Sequence, residues 1–256
     1  MGAFEIDYAP PDWYTRTGGE HFLATTSLPQ AAKWLISAGR ISRSRRGTPL
    51  SYGREWVHII DDGCVMETRP HGTQRIWTAG AIIGDVASLI RPHEQPRRPL
   101  AGARVTLLSD STVISVTART LSRAVTEEPH VALLLLQLVS GRAETLESVY
   151  ASAHLPARAQ IAKLLIYLAD GGEERRWKYT RRNLKIIPAG IYLVDGPSQA
   201  DIATALGLGR ATVEKALGSL REEGILKRQE RGERTNCLYE IEDMAALRRI
   251  AAGSPS

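Results

Sequence analysis

The spacing of apolar positions changes twice along the chain, and each change marks a class of element. From Arg40 to Val116, short apolar or alternating segments are separated by turn residues: Arg40–Ser44, Leu50–Tyr52, Trp56–Ile60, Cys64–Thr68, Arg75–Thr78, Ala81–Ile83, Val105–Leu108 and Val113–Val116. Gly47, Gly53, Gly63, Gly72, Gly80 and Gly84 fall between or beside them. Many short strands with this punctuation predict a small antiparallel barrel or jelly roll. The interval Arg91–Gly102, rich in Pro and Arg, reads as a loop. Ahead of the strands, Leu28-Pro29 opens a short helix with Ala32, Leu35 and Ile36 on one side, ended by Gly39. Residues 1–26 read as an arm, with Trp13 and Tyr14 as its ordering residues.

After Val116 the spacing becomes helical. Thr120–Thr126 reads as a short helix, and a long one starts near Pro129, because proline suits a first helical position. Val131, Leu135, Leu138, Leu146, Val149 and Ala153 follow in heptad rhythm, interrupted by Arg142. Roughly 25 residues at about 1.5 Å each reach roughly 37 Å. A helix of that length with an apolar stripe needs a partner. The expected partner is a second subunit along Val131, Leu135, Leu138, Leu146 and Val149, with part of the stripe packing inside its own chain. Pro156 starts a further helix with Ile161, Leu164, Leu165 and Leu168 inward, stopping at Gly171-Gly172. Glu173–Arg182 (EERRWKYTRR) reads as a solvated connector or an exposed strand edge, and Ile186-Ile187 and Ile191–Val194 as strands. Asp243–Ala252 reads as a terminal helix.

The stretch Ser198–Glu223 carries the sharpest local signal. Ser198 and Asp201 have the spacing of a capping box. Ile202, Ala205 and Leu206 form a stripe, Gly207-Leu208-Gly209 breaks the helix, and Val213, Ala216, Leu217 and Leu220 form a second stripe. Two short helices across a tight Gly turn describe a helix-turn-helix. The second helix keeps Arg210, Thr212, Glu214, Lys215 and Ser219 on its other face. Gly224 stops it, and Ile225–Glu230 and Thr235–Ile241 read as a hairpin, a wing carrying Lys227, Arg228, Arg231 and Arg234 where nucleic-acid phosphates would pass. The candidate DNA contacts are Ser198, Gln199, Arg210, Ala211, Thr212, Glu214, Lys215, Lys227, Arg228, Arg231 and Arg234.

Composition narrows the function classes. A formal net charge of +5 and a pI near 9.4 suit a polyanionic partner. Cys64 and Cys237 are the only two cysteines, too few for a disulfide framework or a Cys-rich metal site, and a reducing cytoplasm is the expected setting. The N-terminus lacks a secretory signal pattern, and the longest near-apolar run, Val131–Val139, is too short to span a bilayer. Neither a P-loop, nor a nucleophile elbow, nor zinc-ligand spacing occurs, and the six histidines are scattered, so the chain does not read as an enzyme. Asp61-Asp62 and Glu222-Glu223 read as turn and surface charges.

A β-roll, a long helix and a winged helix in this order resemble the Crp/Fnr family of bacterial transcription regulators, over roughly residues 25–245. Ile161–Ala169 resembles the family's helix after the dimer helix, and Ser198–Leu226 its helix-turn-helix, including Gly209-Arg210-Ala211-Thr212-Val213. Ile59–Val65 and Gly80–Val86 resemble two turns of its barrel. The resemblance implies an α+β chain in four parts: an N-terminal arm over 1–26, an effector-type β-roll over 27–126, a dimerisation helix over 127–154 and a winged helix over 155–256. It implies a homodimer on a pseudo-palindromic operator in double-stranded DNA, with half-sites about 34 Å apart. RNA polymerase is a further implied partner, and membranes are not. An effector in the roll would act through the central helices. Its pocket would draw on Gly84, Asp85, Arg97, Arg98, Arg104, Arg142 and Thr145. The chain departs from the nucleotide-binding members here. Asp85 takes the place of their Glu, Ala101 that of the Arg that clamps the cyclic phosphate, and Arg97, Arg98 or Arg104 stand as substitutes. Cyclic AMP and cyclic GMP are therefore expected to bind weakly or not at all, the effector being an unidentified small molecule or none. Arg210-Ala211-Thr212 replaces the family's frequent Arg-Glu-Thr, and the cysteine cluster of its oxygen sensors is absent. The competing reading is an effector-binding regulatory subunit of an enzyme or signalling complex.

Overall fold

Strand alternation sends successive side chains of the N-terminal half to opposite layers. In the computed structural model, which describes residues 22–51, 55–86, 103–170, 177–179, 184–186, 192–228 and 237–253, two antiparallel sheets face each other. One contains β1 (Arg40–Ser44), β3 (Trp56–Asp62), β6 (Ile82–Ile83) and β8 (Ser111–Thr117), in the order β1-β8-β3-β6. The other contains β2 (Pro49–Leu50), β4 (Cys64–Thr68), β5 (Gln74–Thr78) and β7 (Arg104–Leu107), in the order β2-β7-β4-β5. Ile60, Val65, Trp77, Ala81, Ile83, Val105, Leu107 and Val113 fill the space between them. This is the jelly roll that the spacing predicts. The β3–β4 turn needs Gly63: its φ is +98°, and a Cβ there would lie 2.2 Å from the Ser111 hydroxyl.

The outer faces carry everything else. Val57, Ile59, Ile114 and Val116 turn away from the roll interior and bury the helices α1 (Phe22–Thr25), α2 (Pro29–Ala38), α3 (Ala118–Glu127) and α4 (Pro129–Thr145). Thr117 caps α3 by accepting from the Thr120 N–H. On the second sheet, Cys64, Met66 and Ile76, with Leu108, enter one core with the C-terminal half. That half consists of α5 (Ala157–Asp170), the hairpin β9 (Trp177–Tyr179) and β10 (Leu184–Ile186), β11 (Tyr192–Asp195), α6 (Gln199–Leu206), α7 (Arg210–Glu222), β12 (Leu238–Ile241) and α8 (Met244–Ala251). The charged stretch Glu173–Arg182 thus contributes a strand, β9. The arm residues Trp13 and Tyr14, and the loop with Ala101, lie outside the described residues.

The central helix runs close to its expected length: α4 passes into a five-residue π-helical segment, Leu146–Tyr150, and ends there. One expectation is corrected: its heptad seam faces inward. Val131, Leu135 and Leu138 pack on the first sheet and its helices, and Val149 packs in the C-terminal core. Leu146 is half-buried against the roll interior. The helix is apolar on two sides, and the side open to solvent carries Leu133, Leu136 and Val139, which are 55%, 63% and 38% exposed. The heptad template fits the stripe that the helix needs for its own subunit, and the free stripe runs beside it.

Candidate nucleic-acid interface

Ser198 and Asp201 form a reciprocal capping box at the start of α6. The Ser198 hydroxyl accepts from the Asp201 N–H at 3.2 Å, and the Asp201 carboxylate accepts from the Ser198 N–H at 2.8 Å. Gly207, with φ of +67°, takes the left-handed conformation that ends α6, and the Leu208 N–H returns to the Ala203 carbonyl at 2.8 Å. α7 then buries Val213, Ala216, Leu217 and Leu220. The opposite side is exposed and presents Arg210, Ala211, Thr212, Glu214 and Lys215. Arg210 donates from Nε to the Glu214 carboxylate at 3.0 Å, an i,i+4 pair in which both side chains are largely exposed. Such a pair stabilises little and holds the guanidinium loosely enough to leave it available. Ser198 and Gln199 sit half-buried at the N-terminus of α6.

Of the hairpin expected, residues 229–236, with its turn, lie outside the described residues. Among the described residues, its first strand reduces to one bridge between Leu226 and Ile241, with the Lys227 N–H donating to the Glu240 carbonyl at 3.0 Å. The ladder of β12 runs with β11 instead, from Tyr192↔Ile241 to Asp195↔Leu238. The Lys227 ammonium pairs with Glu240 at 2.6 Å, and Arg228 is exposed. Arg231 and Arg234 lie outside the described residues.

The effector side is assembled differently from the expectation. Gly84 and Asp85 are half-buried after β6, Arg104 is exposed on β7 opposite Thr68, and Arg97 and Arg98 lie outside the described residues. Thr145 is buried and donates to the Gly141 carbonyl at 2.9 Å. Arg142 reaches into the roll, where Nη2 lies 2.6 Å from the buried Glu67 carboxylate and Nη1 donates to the Ile82 carbonyl at 2.7 Å. Glu67, Trp77, Arg75, Tyr150 and Tyr167 had no sequence signal of their own. β4 is buried along its whole length, so a carboxylate in it must have an internal partner. That argument becomes available only once β4 is known to be central.

A polar relay joins roll and helix-turn-helix. β5 is an edge strand, and its open side is covered by two hydroxyls. Tyr150 accepts from the Ile76 N–H at 2.7 Å and donates to the Ile76 carbonyl at 2.8 Å, and Tyr167 accepts from the Thr78 N–H at 3.3 Å. Burial pushes the Tyr167 hydroxyl up to about 12 and raises that of Tyr150 further, so both stay protonated. The Arg75 guanidinium stacks 4.5 Å from the Tyr150 ring centre and donates to the Ala205 carbonyl at 3.1 Å, on the last turn of α6.

Residues 159–250 match the Crp-like helix-turn-helix domain. No curated protein matches the chain. Solved structures share its fold over most of the chain. A CooA variant from Carboxydothermus hydrogenoformans is 19% identical, with a TM-score of 0.56, over 90% of this chain and 97% of that one. A CRP-family transcriptional regulator from Thermus thermophilus is 20% identical, with a TM-score of 0.54, over 84% and 98%. FixK2 from Bradyrhizobium japonicum is 20% identical, with a TM-score of 0.53, over 85% and 98%. The β-roll, central helix and winged helix thus form the Crp/Fnr architecture, with a Crp-like helix-turn-helix domain at its C-terminus. No helix among the described residues is long and apolar enough to cross a membrane.

Proposed function

We propose that this chain of Crp/Fnr architecture is a dimeric, sequence-specific DNA-binding transcription regulator that works without cyclic AMP. The observation that carries the reading is α7. Its inner face is buried and its turn is fixed by the capping box and Gly207, so an exposed polar row from Arg210 to Lys215 stands on a rigid support. A helix held in this way fits the major groove, where an Arg can donate both arms to a guanine edge. Lys227, Arg228, Arg231 and Arg234 supply phosphate contacts, and the net charge of +5 assists encounter. Ser198 and Gln199 add backbone contacts from the start of α6. The second subunit packs along Leu133, Leu136 and Val139, and RNA polymerase is the downstream partner.

Independence from cyclic nucleotides is supported by the charge inside the roll. A cyclic phosphate must exchange its hydration for a cationic partner. Arg142 is already committed to Glu67 and to Ile82, and the carboxylate it meets there is fully buried. The test is selection of duplexes from a random library by the purified protein, followed by anisotropy titrations on the winner and on a scrambled duplex at several salt concentrations. Enrichment of an inverted repeat and a steep salt slope on both duplexes are expected. Equal affinity for the two sequences overturns the reading. Calorimetry with cyclic AMP and cyclic GMP should show no heat at low-micromolar protein, and tight binding coupled to operator affinity overturns the second half.

A further inference from the structure

We propose that Glu67, Trp77 and the Ile82 carbonyl form a guanidinium-binding box inside the β-roll, and that Arg142 of the central helix occupies it as a built-in ligand. Three different strands contribute. From β4, Glu67 is fully buried and its Oε2 lies 2.6 Å from Arg142 Nη2. From β5, Trp77 is fully buried, donates from Nε1 to the same carboxylate oxygen at 2.8 Å, and places its ring centre 4.2 Å from the Arg142 Cζ. From β6, the Ile82 carbonyl accepts from Nη1 at 2.7 Å. Arg69, half-exposed, stands 4.0 Å from the same carboxylate at the edge. A carboxylate, an aromatic face and a carbonyl, all directed at one planar group, match a guanidinium fork. An ammonium has neither the second arm nor the stacking plane.

The polarity of the box is the reverse of an anion pocket. A buried carboxylate needs a cation or a proton, so the box is stable only when filled. Filling it from α4 ties that helix to both sheets, since β4 and β5 belong to one and β6 to the other. Arg142 sits one turn before the π-helical segment Leu146–Tyr150, and Tyr150 at the end of that segment contacts β5 and Arg75, which reaches α6 through Ala205. Occupancy therefore sets the helix position that the helix-turn-helix feels, which is the role an effector would play. The class of ligand able to compete is a small alkylguanidinium or amidine. The cation site stands on geometry alone, while its effect on DNA rests on the function proposed above.

Chemical rescue tests it. Full-length Arg142→Ala should melt lower than wild type, exchange amide hydrogens faster in β4–β6 and in Leu146–Tyr150, and bind its selected duplex at least about tenfold more weakly. Methylguanidinium at low-millimolar concentration should restore all three with saturation. Methylammonium and sodium chloride at equal ionic strength should not. Wild type, whose box is full, and the double variant Glu67→Gln/Arg142→Ala should show no saturable gain. Absence of rescue in Arg142→Ala, or equal rescue in wild type, overturns the proposal. Arg142→Lys, which keeps the charge and loses the fork, covers the case in which the alanine variant does not fold. Its melting temperature should fall short of wild type, and a value equal to wild type overturns guanidinium selectivity. Rescued melting without DNA binding in any form leaves the box standing and removes the regulator reading. DNA binding that survives in Arg142→Ala without rescue does the reverse.

Discussion

Replacing Leu133 and Leu136 together by Gln separates the two apolar sides of α4. Both residues are more than half exposed on the subunit, and neither belongs to a core cluster. Gln keeps good helix propensity, so the fold itself should lose little. In a two-fold dimer each substitution counts twice, removing four leucine contacts. A leucine taken from exposed to buried contributes about 1.5–3 kcal/mol, and somewhat over half of that remains to be gained here, about 1–1.5 kcal/mol each. The dimer therefore loses about 4–6 kcal/mol, or about three to four powers of ten in its dissociation constant. The control pair is Leu135→Ala and Leu138→Ala, both on the inner side. Each leaves a cavity costing about 2–5 kcal/mol of folding stability and should act on melting rather than on the monomer–dimer equilibrium. Sedimentation velocity across a concentration series reads the first, and thermal unfolding of each variant reads the second. A Leu133→Gln/Leu136→Gln protein that stays dimeric to the nanomolar range refutes the assignment of that face.

Other substitutions probe the interface and its support. Arg210→Ala should cost about 1–3 kcal/mol on the selected duplex, relax preference at one base pair and leave melting almost unchanged, as read by anisotropy on single-base variants. Ser198→Ala removes the capping box and should lower stability by about 1 kcal/mol in denaturant titrations. Gly207→Ala places a Cβ at a φ of +67° and should cost about 1–2 kcal/mol, with nothing nearby for it to clash with. His58 is buried, lies 2.8 Å from the Ser115 hydroxyl and 2.7 Å from the Ser51 carbonyl, and burial holds its pKa below the usual value. Its unfolded form takes the proton first as pH falls, so its contribution to stability is complete above about 6.5 and is lost below it. Melting measured from pH 7.5 to 5 should show this decline in wild type and a shallower one in His58→Gln.

The strands were legible because the roll is thin and each strand has two different neighbours. In Cys64–Thr68, Val65 turns into the roll while Cys64 and Met66 turn to the C-terminal core, so the whole strand is buried and its sequence reads as a continuous run. The helix-turn-helix was legible for a different reason. Its capping box, left-handed Gly207 and two stripes are local devices that the sequence states outright. Spacing alone puts the outward stripe of α4 on Val131, Leu135 and Leu138, because both sides of the helix are apolar. The run from Val131 to Val139 satisfies more than one helical stripe, and spacing alone does not say which one the β-roll covers.

The guanidinium box shows where local pattern stops being informative. Glu67 and Arg142 are 75 residues apart, and Glu67 ends a run in which one acidic residue reads as an ordinary strand-end charge. Arg142 reads as an interruption of a heptad seam, which it is along α4, and as one of several pocket arginines; of the two that are described, Arg104 is exposed and Arg142 reaches into the roll. Neither residue carries a signal alone, because the need for each is created by the other: a buried carboxylate is tolerable only beside a cation, and a cation enters the roll only where a carboxylate and an aromatic plane receive it. Trp77 adds the plane and orients the carboxylate through its indole N–H, and its large apolar surface already explains its burial. The resemblance to ligand-controlled regulators implies an anion site, and Ala101 stands where that site would carry its Arg. The interior charge of the roll is negative at Glu67 and is balanced from the helix side, so the same scaffold is arranged to receive a cation from its own chain.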